Sequence, residues 1–589
     1  MPAATKMKPV DVVTIGFGWT AAIVAAELTK AGVSVLSLER GEFRDTDPDF
    51  AVPSIHDELA YNQRLKLFQD ASRDTYTLRN DRSQGALPIR QFGSFLPGDG
   101  VGGAGVHWNG VTWRFLPWDF QTRSQSIARY GAGILGDDCY SQDWNITYDE
   151  LEPYYDRFEK VAAVGGKAGN LRGQKIAGGN VFEGRRSNEY PNPAMKTQYS
   201  GSLFRDAAHG LGYHPFPQPS ANSTAPYKNY YGITTGVCVY CGYCERFGCE
   251  MYAKASPQVT ILPFLKKSPH FELRTNARVL RVELDSSGKK ATGVTYLDSQ
   301  GREIFQPAAS VFVTSFVLNN IRMLLLSKIG KPYDPASGTG VVGRNYAYQV
   351  NTGATAFFRD GKIFNNFMGS GAVGIVIDDF NGDNFDHSSL GFIGGADISQ
   401  STTGWRPIVN HPVPAGTPRW GAQWKKAAAH YYNRAFSMNA QGGVQAYRGN
   451  YCDLDPTYRD INGQPLMRIT FDWGHHEHKQ SAFMSGIHAK VIKSLGATDS
   501  TISQLPKHYS VVPYQSTHNT GGTIMGNNRE TSVVNKYGQT WDVSNVFVTG
   551  AGLFPQNAGY NPTGTVGALT FHTAEAFVKQ YLKHQEPLA

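Results

Sequence analysis

The sequence predicts an α/β fold in which both ends of the chain build one nucleotide-binding domain and another domain is inserted between them. Three observations carry this. A strand–helix–strand unit with a glycine fingerprint opens the chain. A run of alternating strands lies in the middle, and a last strand and helix close it.

Val10 to Ile15 is a short β-branched run and reads as a buried parallel strand. Gly16-Phe17-Gly18-Trp19-Thr20-Ala21 follows, a G-x-G-x-x-A fingerprint. Thr20 to Lys30 is alanine-rich and helical, with Gly32 as its stop, and Val33 to Leu38 is the second strand, closed by Glu39. The glycines allow a tight turn and let the backbone approach a pyrophosphate at the positive helix end. Glu39 stands where an acid grips the adenosine ribose. Glycines alone are weak evidence; with strand, helix, strand and acid in place, dinucleotide binding outweighs a chance glycine turn.

A second glycine-rich run, Pro97 to Gly105, leads into Val106-His107-Trp108-Asn109-Gly110. Such a run brings backbone close to something flat or charged. The plainer reading is a surface loop, but Trp108, Trp113 and Phe115 argue against idle flexibility. Tyr148 to Val161 reads as a helix, and 165–235 as a long irregular excursion. Phe271 to Gln306 alternates as strands, Val311 to Ser315 reads as a separate buried strand, and Asn319 to Ser327 as a helix. Residues 350–510 are mixed, without helix periodicity over long spans. Asn545 to Gly550 is the last strand, and Gly564 to Leu582 the last helix.

Four of the six cysteines, Cys238, Cys241, Cys244 and Cys249, fall within one short run with the spacing C-x2-C-x2-C-x4-C. The bacterial ferredoxin run has x3 before its last cysteine, followed by proline; here the last gap is one residue longer and Glu250 stands in place of proline. Zinc and paired disulfides are the rivals. With a nucleotide cofactor, an iron–sulfur cluster would make the chain a redox enzyme that exports electrons. Two other groupings read as decoys. Asp379-x-Asn381-x-Asp383 lacks the glycine and glutamate of a calcium loop and reads as a solvated acidic turn. His475-His476-Glu477-His478 is not H-E-x-x-H and reads as an exposed polar turn.

At 589 residues the chain predicts two or more domains. Its net charge of +7 is not gathered into a basic stripe, which argues against nucleic acid as a partner. No stretch approaches the roughly 20 apolar residues of a membrane span. The N-terminus runs directly into a strand, without an apolar signal core or twin arginine. That leads to the expectation of a cytoplasmic chain, or one exported only with a partner. Near the C-terminus, His518 and Asn561 suit removal of a hydroxyl proton. A neutral imidazole is a suitable base, and Asn561, just before Pro562 and the last helix, can orient the same hydroxyl. Taken by itself, His518 reads sooner as a satisfied turn histidine than as a base.

The opening fingerprint and the segments VGGAGVHW, THNTGGTIMG and GYNPTGTVGAL together resemble the glucose–methanol–choline (GMC) flavin oxidoreductases, essentially end to end. CGYCERFGCEMYAKASP and TFDWGHHE resemble the flavoprotein subunits of membrane-bound bacterial sugar and sugar-acid dehydrogenases. The resemblance implies a Rossmann-like FAD-binding domain (1–130, 261–345, 511–589) interleaved with an antiparallel-sheet substrate domain (131–235, 346–510), and a cysteine loop at 236–260. It implies FAD contacts from Gly16, Gly18, Trp19, Thr20, Ala21, Glu39 and Arg40, then from Gly102, Gly103, His107, Trp108 and Asn109, and lastly from Gly552, Pro562 and Thr563. His107 matches a position that some relatives join covalently to the flavin. His518 matches the catalytic histidine and Asn561 its partner, a histidine in many relatives. Thr314-Ser315-Phe316 departs from the family's usual A-A-G.

The resemblance also implies a three-iron (3Fe-4S) cluster, ahead of a four-iron one, on three of Cys238, Cys241, Cys244 and Cys249, with Cys244 and Cys249 the firmer choices. It implies a sugar-acid substrate oxidised at a secondary hydroxyl, gluconate first, with 2-ketogluconate, sorbitol or another polyol as alternatives and an oxygen-using oxidase as the competitor. Its partners would be a small export subunit and a multihaem cytochrome c subunit, at the periplasmic face of the inner membrane.

Overall fold

Strand Val10–Ile15 and helix Trp19–Lys30 form as the sequence predicts, in a computed structural model that describes residues 5–52, 54–359 and 361–588. The helix is buried along nearly its whole length, with Trp19 edge-on to Phe158 of helix Tyr148–Ala162. The second strand starts at Val35 rather than Val33. Gly32 turns the chain at φ +81°, and Ser34 gives its N–H and hydroxyl to Asp11 instead of to the ladder.

The main sheet runs in the order Phe271–Arg274, Val35–Leu38, Val10–Ile15, Glu303–Val313, Ala291–Leu297, Arg278–Leu284, with Val546–Val548 also paired to Glu303–Val313. The expected break before Val311 is absent. Glu303–Val313 is one strand whose first half pairs antiparallel with Ala291–Leu297, while its second half lies parallel to Val10–Ile15 and Val546–Val548, with Val311 opposite Val13 and Val546. The two ends of the chain therefore meet on either side of one central strand. Helix Val317–Leu326 follows it, and the last helix runs Thr563–Ala576 and continues in wider turns to Tyr581.

A second sheet is wholly antiparallel, in the order Phe216–Pro217, Gly374–Ile377, Ala396–Ser401, Ala435–Gly442, Val350–Phe357, Asp499–Ile502. One face carries Ala354, Ile398, Phe436, Met438 and Ala440 against two helices, Tyr199–Gly210 and His475–Leu495. Both helices correct the reading of the sequence. The first lies inside the supposed irregular excursion and is held by burial of Phe204, Ala207 and Ala208. The second has its apolar period masked, because His476, Gln480, Ser481 and His488 share the buried face with Met484, Ile487, Val491 and Leu495.

His475-His476-Glu477-His478 is thus the first turn of a helix, not an exposed loop. His476 accepts from Ile393 N–H and reaches Leu135 O, and Glu477 accepts from the N–H groups of Gly474 and Gln445 and from Tyr447. Asp379, Asn381 and Asp383 do form a turn, but not a solvated one: Asn381 is buried and donates to Asp378, Asp379 is on His214, and Asp383 is on Arg129 and Tyr130.

A four-stranded sheet ties Tyr76–Arg79 and Leu87–Pro88 to Tyr451–Arg459 and Pro465–Thr470. Buried Arg114 donates two bonds of 2.8 Å to Glu159, which also accepts from Arg186 at 2.6 Å. Burial raises the Glu159 carboxyl, but Arg114 and then Arg186 outweigh it and hold it at about 2. This network clamps the segment that carries Trp113. Among the described residues no helix is long and apolar enough to cross a membrane.

Candidate active site

A long cleft opens along the C-terminal ends of the parallel strands, as expected for an open α/β sheet. Gly16, Phe17, Gly18, Trp19 and Thr20 line its middle, Glu39 and Arg40 one end, and Gly103, Ala104, Thr517, Pro562 and Thr563 the other. Gly16 has φ +90°, and a Cβ there would sit 3.1 Å from Ser315 Oγ. No side chain caps the N-terminus of helix Trp19–Lys30, so its free N–H groups and positive dipole face the cleft. Gly102 N–H donates to Phe17 O at 2.7 Å, laying the second glycine run against the first. Glu39 accepts from Phe17 and Gly41 N–H at 2.8 and 2.9 Å. Arg40 lines the cleft, but its donors go to Asp74, Asp99 and Gln69. Thr314, Ser315 and Phe316 line it too, despite departing from A-A-G. The bare helix end, the glycine turns and the distal acid fit an extended dinucleotide such as FAD.

A second cavity meets the cleft at Ala104, Thr517, Pro562 and Thr563 and holds His518 and Asn561. The imidazole is oriented from both sides. Gln349 donates from Nε2 to Ala558 O and Tyr560 O, each at 3.1 Å, so its Oε1 must face His518 and accept from Nδ1–H. That leaves Nε2 with the lone pair. Asn561 Nδ2 donates to Nε2 at 3.2 Å, and the Asn561 amide is fixed in turn, because its Oδ1 accepts from Trp113 Nε1 at 3.2 Å and Gln441 Nε2 at 3.0 Å. Burial pushes the imidazole down to about 3, so it is neutral at neutral pH. Asn557 Nδ2 pins the His518 backbone carbonyl at 2.9 Å.

His107, Trp108 and Asn109 line the same cavity. His107 Nε2 is buried without a partner, against Gly98 and the Phe68 ring, and burial pushes this imidazole down to about 3. Behind this turn lies the cysteine loop. Arg246 N–H donates to His107 O at 2.7 Å, and Lys254 Nζ donates to Trp108 O, Cys244 O and Phe247 O at 2.9, 2.5 and 2.8 Å.

All six cysteines are free, and among the described residues no three His, Cys, Asp or Glu side chains are gathered tightly enough to hold one metal ion. A tetrahedral zinc needs sulfurs about 3.8 Å apart, whereas a cluster spreads its ligands wider. Polar groups nevertheless converge on the thiols: Asn222 Nδ2 donates to Cys244 Sγ at 3.8 Å, Ser370 Oγ shares a hydrogen bond with the same sulfur at 3.8 Å, and Lys254 N–H donates to Cys249 Sγ at 3.5 Å. Tyr240 and Arg246 take left-handed backbone, at φ +58° and +75°, to wind the loop.

Lys254, 2% exposed, and Arg406, 9% exposed, have no carboxylate partner within ion-pair reach among the described residues, and Arg406 Nε has no partner of any kind. Three carbonyl acceptors on Lys254 Nζ call for the ammonium form. Buried cations without counter-charge are costly. Glu245 lies near both and offsets part of their charge; thiolates at Cys238, Cys241, Cys244 and Cys249 would supply more. Burial, and then Cys244 beside them, push Cys238 up to about 12 and Cys241 up to about 11, so those two stay protonated until something draws the protons off.

Of the residues expected at the cofactor, Ala21, Gly102 and Gly552 are not in the walls of either cavity. They are packing positions; a Cβ on Gly552 would meet Thr523 Oγ1 at 2.3 Å. Gln349, Gln441, Arg246 and Lys254 were not singled out from sequence, and Trp113 was noted only among the aromatics that follow the second glycine run. Only Gln441 carried a signal, the alternation Ser437, Asn439, Gln441 against Phe436, Met438, Ala440.

Comparison with known proteins agrees with this geometry. The N-terminal and C-terminal family models of the GMC oxidoreductases match residues 144–351 and 448–570. The gluconate 2-dehydrogenase flavoprotein of Pantoea cypripedii is 49% identical over 99% of this chain and 96% of its own. The fructose dehydrogenase large subunit of Gluconobacter japonicus is 24% identical over 96% and 97%. The crystal structure of pyridoxine 4-oxidase from Mesorbium loti has the same fold, with a TM-score of 0.56 at 15% identity over 98% of this chain and all of that one. The chain belongs to the GMC oxidoreductase family.

Proposed function

We propose that the protein is an FAD-dependent gluconate 2-dehydrogenase that oxidises the C2 hydroxyl of D-gluconate to a ketone and passes the electrons to a partner. The reading is carried by one observation: His518 Nε2, whose lone pair is set by Gln349 and held by Asn561 until a substrate hydroxyl takes its place, lies at the junction of the nucleotide cleft and a second cavity. FAD supplies the hydride acceptor when bound. His518 takes the hydroxyl proton at Nε2, and Asn561 Nδ2 orients the same oxygen. The charge of an anionic substrate raises the depressed imidazole pKa, bringing it closer to the range in which a base works best. The fold divides into the FAD-binding and substrate parts set out above, with Glu39, Gly16, Gly18 and the uncapped helix end holding the adenosine and pyrophosphate.

Arg246 supports an acid over a neutral polyol. It lines the cavity and has no carboxylate partner among the described residues. Only one of its terminal nitrogens is engaged, on Asn62, and its guanidinium lies 4.7 Å over Tyr514. Glu245 beside it is engaged with the Tyr514 hydroxyl. A planar fork so placed suits a carboxylate. Arg246→Leu should lower kcat/KM for gluconate by about 10- to 100-fold through KM, with little effect on sorbitol; steady-state assays with an artificial acceptor check this.

The buried cations and the polar groups converging on the thiols support an iron–sulfur cluster, three-iron by preference, on three of Cys238, Cys241, Cys244 and Cys249, as the one-electron relay. Partner subunits, a small one and a multihaem cytochrome c, and a site at the periplasmic membrane face complete the reading. Anaerobic flavin bleaching by a panel of gluconate, 2-ketogluconate and sorbitol tests the core of it: gluconate should reduce the flavin fastest, and no reduction by any of the three would overturn it.

A further inference from the structure

The catalytic cavity is floored by the face of the six-stranded sheet that the helices do not cover, and two polar side chains on that face have atoms with nothing to bind. Alternation places Asp397, Ser399 and Ser401 of one strand, Asn439 and Gln441 of the next, and Asn351 of the third in the cavity wall, while Ala396, Ile398, Met438 and Ala440 turn to the helices. Strand register sets Asp397, Gln441 and Asn351 in one row across three strands. The middle member, Gln441, bonds Asn561, so the outer two lie about 5 Å to either side of a residue that touches the catalytic pair.

Asp397 is 3% exposed, its Oδ1 has no hydrogen-bond partner, and no cation pairs with it among the described residues. Asn351 Oδ1 accepts from Asn439 Nδ2 at 2.8 Å, and the Asn351 Nδ2 is buried and unpartnered. Buried polar atoms are nearly always satisfied. Two orphans in one row, both in the wall of the substrate cavity, imply a ligand that satisfies them.

We infer that Asp397 and Asn351 form a subsite that reads the hydroxyls of a polyhydroxylated carbon chain beyond the reacting carbon. The inference rests on the dehydrogenase reading above. Burial, with Asp378 nearby, raises the Asp397 carboxyl well above the usual range; its free oxygen can accept from a sugar hydroxyl, and in the protonated form the group can also donate to one. Asn351 Nδ2 adds a donor on the opposite flank of Gln441. A site built to bond a hydroxyl discriminates strongly against an analogue that lacks it.

The test compares kcat/KM for flavin reduction by D-gluconate and by 2-hydroxyhexanoate, which keeps the chain length, carboxylate and C2 hydroxyl but has no others. Asp397→Leu, close in shape but unable to hydrogen-bond, should shrink the ratio of the two values by about 100-fold. Asn351→Leu should shift it the same way. Asp397→Asn, which still donates and accepts, should keep most of it. FAD content and the flavin spectrum report folding; if Asp397→Leu does not retain FAD, Asp397→Ala is read in its place. A ratio untouched by these changes, or an equal loss on both substrates, would overturn the subsite while leaving the dehydrogenase intact. A wild-type flavin that no polyhydroxy acid reduces would remove the dehydrogenase reading, and the subsite with it.

Discussion

His518→Ala should slow substrate-driven flavin reduction by about a hundred- to ten-thousandfold while FAD stays bound. The expectation follows from the fixed tautomer. Gln349 cannot turn its amide without breaking two bonds to the Ala558 and Tyr560 carbonyls, so Nδ1 keeps its proton and Nε2 is the only basic nitrogen facing the junction. Alanine removes that lone pair and leaves Asn561 Nδ2 to hold the hydroxyl with no acceptor for its proton. Stopped-flow reduction by gluconate measures the effect, and FAD retention on a desalting column separates it from cofactor loss. Turnover at the wild-type rate would refute the assignment of the base.

Cys244→Ser gives the second large effect. Cys244 is buried at the centre of the loop, with Asn222 and Ser370 aimed at its sulfur and Lys254 on its carbonyl. The variant should lose most of its iron and nearly all electron delivery to a one-electron acceptor such as cytochrome c, while gluconate still bleaches the flavin. Iron analysis of the purified protein gives a readout independent of turnover. Unchanged iron content, or no iron in the wild type, would refute the cluster. Loss of both flavin reduction and acceptor reduction would mean that the thiol loop only holds the fold together.

The parts of the fold legible in the sequence were those in which one residue type does one thing. Val10–Ile15, Trp19–Lys30 and Glu39 follow from β-branching, alanine and a lone acid after a strand, and each lies where it was expected. Helix His475–Leu495 was not legible because its buried stripe is built partly from histidine, glutamine and serine, which satisfy themselves on strands far away in sequence; His488, for one, reaches Thr352 O. The union of two strands into Glu303–Val313 was hidden because it depends on partners from both ends of the chain. In the site, His518 and Asn561 could be found from their local surroundings. Gln349 could not, since only tertiary folding brings it to the imidazole.

One ammonium, that of Lys254, is bonded at once to the turn beside the catalytic cavity and to the backbone of the thiol loop. On the present reading, that makes maturation a joint affair. Metal bound in the thiol loop would brace the flavin pocket through this one side chain, and its loss would loosen that pocket without emptying it.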